Sequence, residues 1–405
     1  MIISPKFEIT LYVDGKNGLD SNDGLTEETA LKTLKGTKEH LQSGTQILVK
    51  DGTYRNEDYG SGNKDNPIVL HIQNYTDILL TNFPGHSPII EFDGAGGISM
   101  TEMSRVEISG FEIVGPNRDI TKEEAMEDRL LHSNYFSGRG IKFTDSNHIK
   151  IHNIIAHHCP SSGIRADRSD YVAFEDNIVF NNTWWSSSAS SALVIGDARH
   201  IDDLDLTKMF LNRNEVYGNQ NFIPFYSLCR DKPDDPSCTE EDDLRTPADY
   251  GTENQTYIID GSGVYVTRNE NYKYGRFEMS YNRAYNNGIN GLVVHKTDRA
   301  RVVGNVIWDN GQVPKSEPES RQKYAGLTLN MAHDVEVRDN YVKTELNNDY
   351  SYAMQGASLN DATANNKNCK VDNESGTGYG MVADAYGDAV TNGSWDECTD
   401  AINGA

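Results

Sequence analysis

The sequence predicts an all-β, single-domain solenoid: a parallel β-helix with an N-terminal capping helix and long loop insertions. Three observations predict it. A phrase of Gly or Ala followed by alternating residues recurs six times, as GIKFTD from Gly140, GIRADR from Gly163, ALVIGD from Ala192, GVYVTR from Gly263, GLVVHK from Gly291 and GLTLNM from Gly326. Each is followed, usually 13 or 14 positions later, by an Asn leading an apolar triplet: Asn153, Asn177, Asn214, Asn282, Asn305 and Asn340. Within every unit the alternation has period two, with no helical periodicity.

Units repeating at this length bury their apolar faces only against their neighbours. In the first phrase Ile141 and Phe143 fall on one face and Lys142 and Thr144 on the other, as a half-buried strand requires. Val264 with Val266, Leu292 with Val294, and Leu327 with Leu329 repeat the inward pair. The Asn side chains are expected to bond turn backbone or the equivalent Asn one coil away, giving an internal ladder.

In chain order, residues 1–60 read as an N-terminal cap and first coils. A strand near residue 10 leads into an Asp/Asn/Gly cluster, then a helix over Glu27 to Leu41 capped by Thr26, then a strand ending at Tyr54. Residues 61–345 read as the solenoid. Insertions at 115–137, 217–259 and 312–323 interrupt it, the first helical around Thr121 to Leu131. Insertions of this kind gather on one side of a solenoid and wall its cleft. Beyond residue 345 the repeat fades into an Asn-, Gly- and Asp-rich cap or tail, 346–405.

The 405 residues carry a net charge of -24, which excludes a nucleic-acid binder, since that function needs a basic footprint. No apolar run reaches the roughly 18 residues of a membrane helix. MIISPKFEIT does not read as a secretory signal, so export is expected to depend on a signal absent from this sequence. Cys229 and Cys238 bracket one polar loop and Cys369 and Cys398 another, a placement that suits two disulfides in an oxidising compartment. Cys159 is then left as a buried thiol, and five free thiols remain the alternative. A monomer is expected.

YVDGKNGLDSNDGLTEETALKTL with DGTY, and GRGIKFTDSNHIKIHNIIAHHCPSSGIRADRSDYVAFEDNIVFNNTWW, resemble the right-handed parallel β-helix proteins of the pectate-lyase-like superfamily. The resemblance covers roughly residues 10 to 345. It implies an extracellular polysaccharide lyase acting on a uronate-containing chain. The stretch around Lys296-Thr297 is also similar to the alginate and dermatan lyase branch, where a catalytic Lys opens a KS-like strand end and a catalytic Arg comes from a nearby coil. Asn330 and Met331 stand where that branch places its Arg, so Arg268 is the substitute candidate. The Asp-Asp-Gly-Trp-Asp pattern of the calcium-dependent pectate lyase branch is absent.

Stacking the six phrases supplies a separate argument. The first outward column reads Lys142, Arg165, Val194, Tyr265, Val293, Thr328, and the second Thr144, Asp167, Gly196, Thr267, His295, Asn330. At the strand ends stand Asp145, Arg168, Asp197, Arg268, Lys296 and Met331. Six of these eighteen positions are Lys, Arg or His on a strongly acidic body, which suits charge-assisted contacts to an anionic polysaccharide. β-Elimination from a uronate needs a neutralised carboxylate and a base for the C5 proton. Lys296 or His295 is the expected base and Arg268 or a metal the neutralising group. Lys142, Arg165, Asp167, Arg168, Tyr265 and Asn330 are expected to bind substrate, and Trp184 and Trp185 to stack on sugars or pack against the wall. His295 and Lys296 alternate in direction along an ideal strand, so a twist or bulge is required for both to face one groove.

Calcium is the expected cofactor if any. Asp197, Asp202, Asp203 and Asp205 in GDARHIDDLDL, together with Asp260, are the candidate ligands. A glycoside hydrolase of the same fold, drawing a carboxylate pair from Asp167, Asp197 and Asp260, competes with the lyase. So do a non-catalytic carbohydrate-binding protein and a uronate epimerase.

Overall fold

The computed structural model describes residues 2–62, 67–128, 135–188, 190–225, 258–259, 261–313 and 325–343, with further strands at Tyr350–Gln355, Leu359–Asp361, Lys367–Asn368, Met381–Val382 and Asp396–Glu397. Each coil gives one strand to each of three parallel sheets. Arg139–Thr144, Asn147–His152 and Ile155–His157 form one coil, and Ile164–Asp167, Asp170–Glu175 and Ile178–Phe180 the next. Among the described residues sheet 1, built from the six phrases, has ten strands, sheet 2 eleven and sheet 3 nine. The inward residues form one continuous core, in which Ile141, Phe143, Val264, Val266, Leu292 and Val294 are fully buried. No helix among the described residues is long and apolar enough to cross a membrane.

Register holds from coil to coil. Lys142 pairs with Arg165, Arg165 with Val194, Val194 with Tyr265, Tyr265 with Val293, and Val293 with Thr328. Side chains alternate faces with period two, so this register also stacks the inward residues on one another. Sheet 1 continues past residue 345, where the repeat fades in the sequence, because Leu327 pairs with Tyr352 and Asn330 with Gln355.

A side-chain amide column locks the register. Asn177, Asn214, Asn282, Asn305 and Asn340 are at most 1% exposed. The Nδ2 of each donates to the Oδ1 of the next, at 3.0, 3.0, 2.9 and 2.8 Å. The same Oδ1 accepts the backbone N–H of the preceding Asn, and Nδ2 also reaches a backbone carbonyl, Ile151 for Asn177 and Phe174 for Asn214. Asn153 is the exception. Ile155 pairs with Ile178, so Ile154 stands opposite Asn177, and Asn153 is displaced by one residue into a left-handed corner with φ of 52°. The Ile154 N–H heads the column in its place.

A second amide column went unread in the sequence. Asn182, Asn219, Asn287 and Asn310 lie five residues after Asn177, Asn214, Asn282 and Asn305, and bond in series at 3.0, 2.9 and 2.9 Å. The Cys159 N–H heads this column by donating to Asn182 Oδ1. The buried Cys159 thiol is free, and burial pushes its pKa up. The other four cysteines lie outside the described residues. The second column also explains the repeated Gly: a Cβ on Gly263 or Gly291 would come within 2.8 Å of Asn287 Nδ2 or Asn310 Nδ2.

The helix expected over Glu27 to Leu41 is not formed. That stretch holds only the 3-10 turn Lys35–Glu39, and Leu31 bridges to Val13 as a strand would. Tyr12 and Asp14 exchange backbone hydrogen bonds with Leu31, and the Asp20 carboxylate accepts the N–H groups of Lys32 and Thr33. Those contacts take up backbone groups that helical hydrogen bonds require. Thr26 bonds reciprocally with Thr29 in a turn instead of capping a helix. In the first insertion a helix does form, Lys122–Asp128, started by a capping box in which Thr121 Oγ1 accepts the Glu124 N–H and Glu124 Oε2 accepts the Thr121 N–H.

Replacing Asn214 by Ala orphans the Asn177 N–H and the Phe174 carbonyl, and should lower unfolding free energy by about 2–4 kcal/mol in a denaturant titration. Asn153→Gly, outside the column and tolerant of positive φ, should stay within about 0.5 kcal/mol of the parent.

Candidate functional site

The outward columns of sheet 1 stack as the phrases predict, and each strand ends at one left-handed residue. Asp145, Arg168, Asp197, Arg268, Lys296 and Met331 all take φ between 45° and 55°, turning the chain from sheet 1 toward sheet 2. This corner supplies the change of direction that a straight strand denies to Lys296 beside His295.

Most charges of the corner column are matched within the fold. Arg168 makes a bidentate pair with Asp145 at 2.9 and 2.7 Å, Arg268 reaches Asp197 at 2.8 Å, and Lys296 lies 3.9 Å from Glu270. Burial raises the Asp197 pKa despite the Arg268 charge. In the outward columns, the Tyr265 hydroxyl and Thr267 Oγ1 both lie 2.9 Å from His295 Nδ1. Assigning Nδ1 as acceptor for these hydroxyls leaves the ring proton on Nε2. Asn330, half-buried, is the next residue along that column.

The stretch from Arg139 to Arg168, across two coils, differs. Arg165 Nε contacts both Asp167 oxygens, at 2.9 and 2.7 Å, and both residues are less than a tenth exposed. Burial alone would raise the Asp167 pKa, but the Arg165 guanidinium holds it below the usual carboxylate range. Lys142, half-buried beside Arg165, has no carboxylate within ion-pair distance among the described residues. Arg139, at the start of the same strand, buries an Nε with no hydrogen-bond partner there. Three cations therefore act on Asp167. Burial and then Arg139 lower the Lys142 pKa, while burial and the Arg165 charge push Arg139 down to about 10. Arg139 was not among the sequence candidates; its only mark is its place one residue before the first Gly phrase.

The aspartates expected to hold calcium do not converge. Asp197 faces Arg268, Asp202 accepts from Lys208 at 2.6 Å and from Tyr171 at 2.8 Å, and Asp205 is bound by Arg276 and Arg299. Asp203 is exposed and Asp260 lies outside the described residues. Each of the three engaged carboxylates has a cation of its own, so this set does not fit a calcium ion, which gathers six to eight oxygens. Among the described residues no group of three or more His, Cys, Asp or Glu side chains is placed to hold a metal.

Trp185 packs in a second apolar cluster with Ile120, Ala125, Tyr135, Phe136 and Ile223, which ties the first insertion to the coils. Its Nε1 donates to the Asn117 carbonyl at 3.0 Å, so it belongs to the wall and not to a sugar platform. Trp184 is half-buried, edge-on to His158, Trp185 and Phe222.

Residues 65–230, which contain this cation cluster, match the family model described as "Right handed beta helix region". These coils are a right-handed β-helix. No curated protein matches the chain. Among solved structures the β-helix is similar to pectate lyase Pel9A, at 14% identity over 87% of this chain and 79% of that one, with a TM-score of 0.48. It is also similar to a rhamnogalacturonan lyase, at 15% identity over 89% and 75% with a TM-score of 0.44. A third likeness is to the periplasmic alginate epimerase AlgG, at 10% identity over 78% and 57% with a TM-score of 0.41.

Two outcomes follow for the β-helix. Trp185→Phe, which loses the bond to the Asn117 carbonyl, should lower stability by about 1–2 kcal/mol in thermal unfolding. Burial opposes the charge of Asp202, but Lys208, the Leu204 N–H and Tyr171 hold its pKa down at about 2, against an ordinary 3.8. Its stabilising contribution is thus complete above pH 3.8 and lost as pH falls through about 2. Asp202→Asn should flatten that part of a stability-against-pH curve.

Proposed function

We propose that this protein binds a uronate-containing polysaccharide along the outer face of sheet 1 and cleaves it by β-elimination, with Lys142 as the base. The carrying observation is the group of Arg139, Lys142 and Arg165 gathered around Asp167, with Lys142 half-buried among them. On a protein of net charge -24, such a cluster of cations suits an anionic ligand. A polymeric substrate also fits a secreted setting.

Lys142 is favoured over Lys296 and His295 on electrostatic grounds. A lysine acts as a base when burial and neighbouring cations lower its pKa, and both conditions hold at Lys142. Lys296 lies 3.9 Å from Glu270 instead of among other cations. Arg268, the expected neutralising group, is taken by Asp197. In the proposed reaction Lys142 Nζ removes the C5 proton, and that electron pair forms the C4–C5 double bond through an enolate-like state stabilised by the guanidinium charge behind it. The C4–O bond breaks toward the oxygen, which takes the proton back from Lys142.

A second reading, a glycoside hydrolase, is supported by the two neighbouring acids Asp167 and Asp197. One is held below its usual range and the other raised, the division of roles that a base or nucleophile and an acid need. That reading leaves the three cations without a purpose.

Incubation with acidic polysaccharides should raise ultraviolet absorbance from an unsaturated uronate, and the rate should climb with pH along a limb below the ordinary lysine value of 10.5. Lys142→Ala should reduce turnover by about 10²-fold or more. Full activity in that variant with loss in Lys296→Ala would return the base to Lys296. New reducing ends without the absorbance, abolished by Asp197→Asn, would establish the hydrolase instead.

A further inference from the structure

We infer that the paired imidazoles of His157 and His158 form an acid-released latch that ties the first insertion to the coils. His157 ends the sheet 3 strand Ile155–His157, and His158 follows it at a corner with a left-handed φ of 58°. Both are buried, at 7% and 2% exposure. They stand in the middle of a chain of four groups. Arg118 Nε donates to His158 Nε2 at 3.0 Å, the two Nδ1 atoms lie 2.6 Å apart, and His157 Nε2 meets Glu112 Oε1 at 3.0 Å.

One placement of protons satisfies that chain. A guanidinium only donates, so His158 Nε2 accepts and the His158 ring proton sits on Nδ1. That proton is given to His157 Nδ1, which leaves the His157 proton on Nε2, facing the Glu112 carboxylate. Both rings are then neutral. A further proton on either ring turns an acceptor into a donor and sets it against another donor, Arg118 in one case and the neighbouring imidazole in the other. Burial, and then the His157 and Arg118 charges, lower the His158 pKa to about 4 from an ordinary 6.5. The other groups packed on the pair are uncharged: Phe180, stacked on His157 at 4.7 Å between centroids, and Trp184, edge-on to His158 at 5.5 Å.

The pair grips the insertion at its base. The His157 and His158 carbonyls accept the Gly115 and Asn117 N–H groups at 3.0 and 2.9 Å, and the Asn117 carbonyl accepts the Trp185 indole N–H. Arg118 is exposed and the Glu112 side chain is 41% exposed, so both ends of the chain reach water. Opening the base of the insertion frees His158 to take a proton at its ordinary value. Acid therefore favours the open form from about pH 6.5 downward, until the closed form also takes the proton near 4. The latch is independent of what sheet 1 binds.

Hydrogen exchange of the full chain, corrected for the intrinsic effect of pH, tests it. Protection of the Gly115 and Asn117 amides should fall about twentyfold between about pH 7 and 5, the change that one extra bound proton gives. At the lower pH these amides should exchange ahead of the Asn214 and Asn282 amides in the buried column. His158→Gln, which keeps an acceptor for Arg118 and cannot titrate, should flatten the dependence. Arg118→Gln, a change at an exposed side chain, should lower protection at about pH 7 by about tenfold. Protection that stays constant with pH, an equal fall in His158→Gln, unchanged protection in Arg118→Gln, or exchange no faster than at Asn214 and Asn282 would each overturn the inference.

Discussion

The hydrogen bonds of the buried side-chain amides are the constraint on which this structure depends. A parallel sheet fixes its strands only through backbone bonds, which a two-residue slip would satisfy equally well. Asn214 cannot slip, because its Oδ1 must meet the Asn177 amide while its Nδ2 meets Asn282 and the Phe174 carbonyl. The second column, from Asn182 to Asn310, applies the same condition five residues later and bears on the Gly that opens the next phrase. Two corners of each coil are thus registered to their neighbours by groups that are costly to leave unmatched. Once register is set there, the outward residues of sheet 1 have no freedom in which neighbour they meet.

That lack of freedom produces the electrostatic pattern. Along the corner column, Asp145 and Arg168, then Asp197 and Arg268, alternate in sign and satisfy each other at hydrogen-bond distance. Each takes a left-handed backbone, so the corner both turns the chain and swings these side chains into one row. The strand residues just inside the corner are not balanced in this way. Arg139, Lys142 and Arg165 are held together around Asp167 by the same register, and burial makes their mutual repulsion felt.

The insertions follow a different physical rule. Their residues lack the repeat, so they are held by ordinary packing. Trp185, Ile120, Ala125 and Phe136 form a small cluster of their own, and the Thr121 capping box starts the helix that enters it. The N-terminal segment shows the opposite outcome. There Asp20 and the strand at Tyr12 compete successfully for backbone groups that a helix would have used, which the helical pattern of EETALKTLKGTKEHL does not reveal.

Taken alone, the sequence determined the strands, their inward residues and the outward columns, because period-two alternation and in-register stacking are properties of the repeat. It also determined most of the first amide column, missing only the one-residue offset at Asn153. The second column was present as the constant five-residue spacing from Asn177 to Asn182 and from Asn305 to Asn310, and was legible in principle. Only the tertiary structure decided which charges are spent inside the fold. Arg168, Arg268, Asp197 and Asp202 look alike in sequence to residues available for a ligand, and are matched by partners 23 to 71 residues away or across a loop. Lys142 and Arg139 stand out for the opposite reason, since the coils that stack against them bring more positive charge. Pairing over such distances depends on where the chain returns, which no local pattern records.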